Sequence, residues 1–82
     1  RRDKVTGAKL KAEGVRPGVP DLILLKQRHG YGALLIEMKT ARGVLSQQQR
    51  IWRDHITKDG YKHVVCRSVQ DFINEITNYL EE

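Results

Sequence analysis

Two segments of the chain carry charged groups where charge is costly. Pro20-Asp21-Leu22-Ile23-Leu24-Leu25 puts Asp21 at the head of an apolar run, and Leu34-Leu35-Ile36-Glu37-Met38-Lys39 puts Glu37 and Lys39 at the tail of another. A carboxylate taken out of water without a partner is heavily penalised, so acids at the ends of apolar strands imply something that they bind. A divalent cation would satisfy both. Hydrolysis of a phosphodiester needs an activated water, neutralisation of the charge growing on the phosphate and help for the leaving oxygen, and a bound cation supplies most of this. Mg2+ takes oxygen ligands at about 2.1 Å and keeps several waters, so Asp21, Glu37 and the backbone carbonyl of Met38 are enough protein ligands. Lys39 would orient or deprotonate the attacking water and stabilise the pentacovalent state.

The elements around these residues must bring them together. Gln27-Arg28-His29-Gly30-Tyr31-Gly32 reads as a hairpin loop, with glycines available for positive φ, so the flanking runs are expected to be antiparallel neighbours. A loop centred on His29 or Gly30 sets Asp21 opposite Glu37 or Met38. Alternation along a strand keeps Glu37 and Lys39 on one face and turns Met38 to the other. Both apolar runs are continuous rather than alternating, which predicts strands covered on both faces. Upstream, residues 6–13 can form a short helix capped by Thr6 and ended by Gly14, and Arg16-Pro17-Gly18-Val19-Pro20 is a stiff connector that delivers Asp21 to its strand.

Downstream of Lys39 a short loop, Ala41-Arg42-Gly43-Val44-Leu45, leads to Ser46-Gln47-Gln48-Gln49, a capping-box start for a helix reaching about Asp59, with Gly60 to end it. Ile51, Trp52, His55 and Ile56 fall on one stripe of that helix. A third strand is expected over residues 61–67. Ser68 then caps a last helix whose Val69, Phe72, Ile73, Ile76 and Leu80 keep helical spacing, with Tyr79 beside them. Strand, helix and strand from Leu34 to Arg67 make a βαβ unit, which calls for a parallel pair with a right-handed crossover. The expected fold is α/β, with a mixed three- or four-stranded sheet flanked by helices.

At 82 residues the chain is one small domain, residues 1–82, with one compact core and no room for a large substrate pocket. Fifteen Lys and Arg against ten Asp and Glu give a formal charge of +5, a balance that favours a polyanionic partner. Cys66 is the single cysteine, so no internal disulfide forms, and its apolar neighbours make it a core side chain. No apolar run approaches the ~20 residues of a membrane span. No membrane partner is expected, and a reducing cytoplasm, of a bacterium or a phage-infected cell, fits best.

Pro20-Asp21 with Glu37-Met38-Lys39 resembles the signature of the PD-(D/E)xK nucleases. The likeness extends through Gly18-Val19-Pro20-Asp21-Leu22, Ile36-Glu37-Met38-Lys39-Thr40, Gly43-Val44-Leu45-Ser46 with Gln49 and Trp52, and Gly60-Tyr61 before Val64-Val65-Cys66. That ordered set, over roughly residues 14 to 70, resembles the virus-type replication-repair nuclease (VRR-NUC) domain. The resemblance implies a restriction-endonuclease-like core and a Mg2+- or Mn2+-dependent endonuclease in which Asp21 and Glu37 hold the metal, Lys39 is catalytic and Gln49 is a further polar group of the site. Gln49 also sits on the first turn of its helix, where a helix N-terminus favours phosphate, and Ser46 as N-cap would fix that end. The family typically adds an acid from a helix before the first motif. Glu13, the nearby acid, lies too close to Asp21 in sequence to be assigned that role.

Small stand-alone members of the family resemble Holliday-junction resolvases and act as dimers, while others are modules of larger repair enzymes. The expected activity is therefore structure-selective cutting of DNA, with branched or four-way junctions as leading substrate and a homodimer as the acting form. The alternatives are a nicking module of a larger protein and an inert basic module that only binds nucleic acid. Arg16, Arg42, Arg50 and Arg53, with Ser46, are the candidates for phosphate contact. Trp52 belongs to the apolar stripe rather than to a base-stacking platform, and His29, His55 and His63 show no zinc-ligand spacing with each other or with Cys66.

Overall fold

A computed structural model describes residues 17–82; the expected helix over residues 6–13, together with Glu13 and Arg16, lies outside the described residues. The two apolar runs form strands β1 (Leu22–Leu24) and β2 (Leu34–Met38), antiparallel and in the register Leu22 to Ile36, Ile23 to Leu35 and Leu24 to Leu34. Continuing that register sets Asp21 level with Glu37. The hairpin turns on His29 and Gly30, with φ of 56° and 86°. Backbone bonds between Arg28 and Tyr31 close it, from Arg28 N–H to Tyr31 O at 3.1 Å and from Tyr31 N–H to Arg28 O at 2.8 Å. Two consecutive left-handed residues match the right-handed twist of the arms. Gly32 serves a different purpose from the expected positive φ: a Cβ there would stand 2.8 Å from Cε1 of Tyr61, so glycine lets the ring lie on the backbone.

Helix α1 (Gln47–Lys58) crosses over from β2 to strand β3 (Lys62–Cys66), which pairs with β2 in parallel from Leu34 opposite Lys62 to Met38 opposite Cys66. The sheet is mixed, in the order β1-β2-β3 among the described residues. Ser46 caps α1 in a complete capping box with Gln49, and Gly60 at φ 95° turns the chain back toward the sheet. Helix α2 (Val69–Leu80) starts on the Ser68 cap, with Asp71 in its first turn where a negative charge suits the helix dipole.

The central strand divides the core. Leu34, Ile36, Cys66 and Tyr79 are buried together on the α2 side, with Leu24, Met38, Val64, Phe72 and Ile76 packed around them. Ala33, Leu35 and Ile56 form the smaller cluster on the α1 side, with Trp52 against it. Burial lifts the Cys66 thiol pKa, and Glu75 and Asp71 lift it further, so this sulfur stays protonated and packs as a small apolar group.

Three expectations about burial are corrected. Two-sided cover holds for β2 but not for β1, whose Leu22 and Ile23 are 44% and 52% exposed. Among the described residues β1 is an edge strand, and an unbroken apolar run does not distinguish an edge from a centre. On α1, Ile51 and His55 are exposed, and the inward stripe runs through Gln49, Trp52 and Ile56. On α2, Val69, Ile73 and Leu80 face solvent while Phe72, Ile76 and Tyr79 face the sheet. The Tyr79 hydroxyl fixes that rotation by donating to the Lys26 carbonyl at 2.6 Å. No helix among the described residues is long and apolar enough to cross a membrane.

Candidate active site

Residues 33, 35, 37 and 39 share the α1 face of β2, so Glu37 and Lys39 lie where that face runs out beside the N-terminus of α1. Asp21 arrives from the other side. Its connector is pressed onto the helix: Gly18 has φ 97°, and a Cβ there would stand 2.6 Å from the backbone C and O of Gln48. Only glycine permits both the backbone conformation and the approach. Asp21 Oδ2 accepts the Met38 N–H at 2.8 Å, extending the hairpin ladder with a side chain.

Glu37 is the buried member, at 3% exposure. Its Oε2 accepts from Gln49 Nε2 at 3.0 Å, while Oε1 is buried with no partner among the described residues. Gln49 is itself held at both ends. Its N–H donates to Ser46 Oγ at 3.1 Å, its Oε1 accepts the Ser46 N–H at 2.8 Å, and the remaining amide hydrogens reach the acid. The residue that completes the helix cap therefore also orients Glu37, a double use that the capping-box pattern does not reveal.

Burial pushes the Glu37 pKa above the ordinary carboxyl value, the Asp21 carboxyl beside it pushes it further, and the Lys39 ammonium pulls it back. Two acids thus face each other with one buried oxygen unsatisfied, and either a shared proton or a cation relieves them. The backbone adds a further oxygen. Lys39 N–H donates to the Cys66 carbonyl on β3 at 2.9 Å. The trans peptide therefore points the Met38 carbonyl the opposite way, toward the edge where Met38 N–H meets Asp21. Asp21, the orphaned Glu37 oxygen and the Met38 carbonyl form an all-oxygen donor set that fits Mg2+ or Mn2+. No group of three or more His, Cys, Asp or Glu side chains that could hold a metal occurs among the described residues.

Lys39 is half-buried, and the turn Thr40–Gly43 closes beside it with Gly43 N–H donating to the Thr40 carbonyl at 3.2 Å. Arg42 is exposed on that turn. Arg50 Nη1 donates to the Leu45 carbonyl at 2.8 Å and so braces the loop entering α1. Arg53, one turn beyond Gln49, pairs with Asp54 at 3.2 Å and lies near His63. The structure thus gathers Asp21, Glu37, Met38, Lys39, Gln49 and Ser46, with Arg42 on the adjoining turn and Arg50 on the first turn of α1. Gly18 and Arg67 were not singled out as site residues in the sequence. Gly18 carries a signal in its place between two prolines, and Arg67 carries none.

The arrangement of an acid-headed edge strand, a buried Glu and a Lys on the central strand, and a capping Gln can be compared with known proteins. The model of the VRR-NUC domain family matches residues 3–70. The chain belongs to the VRR-NUC family. A solved structure described as a VRR_NUC domain protein is 34% identical and superposes with a TM-score of 0.79, over 89% of this chain and 61% of that one. The chain therefore spans less than two thirds of that relative's length. A search of curated proteins gave no match. Membership makes this VRR-NUC chain a nuclease-type domain, and the net charge of +5 would suit a polyanionic partner.

Proposed function

We propose that this VRR-NUC domain is a Mg2+- or Mn2+-dependent endodeoxyribonuclease that cuts branched DNA, with four-way junctions as its leading substrate. The observation that carries the reading is the buried Glu37, its Oε1 unpartnered among the described residues and its carboxyl within reach of the Asp21 and Lys39 charges. Asp21, Glu37 and the Met38 carbonyl would hold the metal, which when bound supplies charge neutralisation at the phosphate and a more acidic water. Gln49 keeps Glu37 turned toward that position. Lys39 places its ammonium where the attacking water and the phosphate oxygens meet, donating hydrogen bonds that strengthen as negative charge develops. Arg42 on the neighbouring turn, Arg50 and the Ser46-capped N-terminus of α1 would receive the flanking phosphates.

Contacts of this kind read phosphate rather than base edges, so binding is sequence-tolerant and weakens steeply with salt. Two nicks on strands related by approximate two-fold symmetry require two sites, and a C2 homodimer supplies them. The exposed stripe of Val69, Ile73 and Leu80 on α2 supports that assembly, with apolar surface beyond what the core uses. A nicking module that borrows its geometry from other domains is the second reading, favoured by the greater length of the matched relative.

Labelled flap, fork, hairpin and four-way substrates, incubated with Mg2+, with Mn2+ and with EDTA, test the activity. Metal-dependent cutting concentrated on the four-way substrate is expected, and binding without cutting in either metal overturns the nuclease reading. Light scattering separates the assemblies. A mass near twice 9.5 kDa supports the dimer, and a strictly monomeric mass with and without junction DNA favours the nicking module.

A further inference from the structure

We propose that Arg67 is a positioning residue for Lys39, acting through the Thr40–Gly43 turn; the assignment rests on the nuclease reading of the site. β3 ends at Cys66, and its last two links both run to the catalytic segment. The Cys66 carbonyl accepts the Lys39 N–H at 2.9 Å, which fixes the backbone of Lys39. The next residue extends its guanidinium under the turn, where Arg67 Nη1 donates to the Thr40 carbonyl at 2.9 Å and to the Gly43 carbonyl.

Those carbonyls belong to the first and last residues of the turn, so one cation holds both ends of it. The turn in turn confines the lysine. A Cβ on Gly43 would stand at an ordinary packing distance, 3.4 Å, from Lys39 Cδ and at a tighter 3.1 Å from Thr40 Oγ1, so the Lys39 stem runs alongside the turn at Gly43. The lysine stem has several rotors, and the turn alongside its Cδ removes some of their combinations.

Arg67 is anchored from behind. Its own N–H donates to Asp71 Oδ2 at 2.9 Å, and Asp71 N–H donates to Ser68 Oγ at 3.0 Å, so the N-cap of α2 sets where the guanidinium begins. A continuous line runs from the α2 cap through Arg67 and the turn to the Lys39 side chain, and each link is a hydrogen bond or a packing contact between named atoms. An exposed arginine elsewhere would be a solvated charge. This one spends its hydrogen bonds on backbone more than twenty residues away in sequence.

The test uses the full chain, with Arg67→Ala, Arg67→Lys and Gly43→Ala compared in cleavage, binding and side-chain dynamics. Arg67→Ala is expected to lower kcat about tenfold while DNA and Mn2+ affinities stay within about twofold, because misplacing a catalytic group costs rate rather than binding. Arg67→Lys should recover part of the rate. Gly43→Ala, whose Cβ crowds Thr40 Oγ1 inside the turn, should give a smaller loss of rate with Arg67 intact.

Carbon-13 relaxation of the Lys39 methylenes reads the same effect without metal or substrate, and it should pass from one ordered conformer to averaging in Arg67→Ala. A melting curve is recorded for each variant. Rates that fall only in proportion to the unfolded fraction, or an ordered Lys39 in Arg67→Ala, overturn the assignment while leaving the nuclease reading in place. A wild type that cuts no substrate overturns the nuclease reading, and the positioning role of Arg67 falls with it.

Discussion

The two faces of β2 are built from alternate residues of one strand and end in opposite ways. On the α2 side Leu34 and Ile36 are essentially inaccessible, and Cys66, Tyr79, Phe72 and Ile76 close over them, with Met38 at the end still apolar. On the α1 side Ala33 and Leu35 lead to Glu37, a buried carboxylate with one oxygen unpartnered, and then to Lys39. One face is satisfied and the other is not. Interchanging the roles of the faces would need a shift of one residue in register, which the His29-Gly30 turn opposes. Stability and chemistry are thereby kept on one rigid strand without sharing residues.

The comparison breaks most sharply at Glu37. Glu37→Gln is expected to lower single-turnover cleavage by at least about 1,000-fold, equivalent to ~4 kcal/mol of transition-state stabilisation. The metal-free melting temperature should hold or rise, because the variant removes a carboxyl whose charge is disfavoured by burial and by Asp21. Asp21→Asn should behave likewise in cleavage, and calorimetry with Mn2+ should show both variants binding poorly. Lys39→Ala should lose cleavage and keep metal affinity. Wild-type cutting by that variant would remove Lys39 from the mechanism.

The opposite result is expected from the other face. Leu34→Ala, at a fully buried position, should cost about 3 kcal/mol of stability in urea titration by lost burial and residual cavity. Its cleavage rate, corrected for the folded fraction, should stay near that of the wild type. A smaller effect belongs to Tyr79→Phe, which leaves the Lys26 carbonyl without its 2.6 Å donor and should cost about 1 kcal/mol. A loss of cleavage from either variant out of proportion to unfolding would show that the faces are coupled.

Much of the division was legible before the fold was seen. A loop centred near His29 fixes which residues oppose each other, and Leu22 does lie opposite Ile36, so Asp21 falls level with Glu37. The Ser46–Gln49 capping box and the parallel crossover were legible for the same reason: local spacing sets local geometry. What spacing does not carry is the environment. Leu22 and Ile23 look as apolar as Leu34 and Leu35, and only the strand order makes them an edge. The rotation of α1 was missed because Ile51 outweighs Gln49 on any hydropathy scale, whereas the helix is clocked by Gln49 being tied to Ser46 and Glu37 together. Arg67 was illegible because its partners are backbone carbonyls, which have no residue identity to read.

The smallest expected effect sharpens the picture of the α1 face as the polar one. His63 pairs with Leu35 on β3 and so looks toward α1, where burial lowers its pKa below the ordinary 6.5, the Arg53 guanidinium lowers it further, and a backbone hydrogen bond opposes them weakly. The folded state therefore resists protonating this imidazole, while the unfolded chain takes the proton at about pH 6.5. Between those two values the unfolded state binds more protons, so stability rises with pH there. The contribution of His63 is present above about pH 6.5 and is lost as pH falls through the folded value. Urea midpoints recorded from pH 7.5 downward should fall more steeply in the wild type than in His63→Gln, which has no imidazole to protonate. Equal slopes would mean that His63 titrates alike in both states. A reversed difference would mean that the imidazolium finds a partner on this face, which would then be less hostile to cations than the Arg53 contact implies.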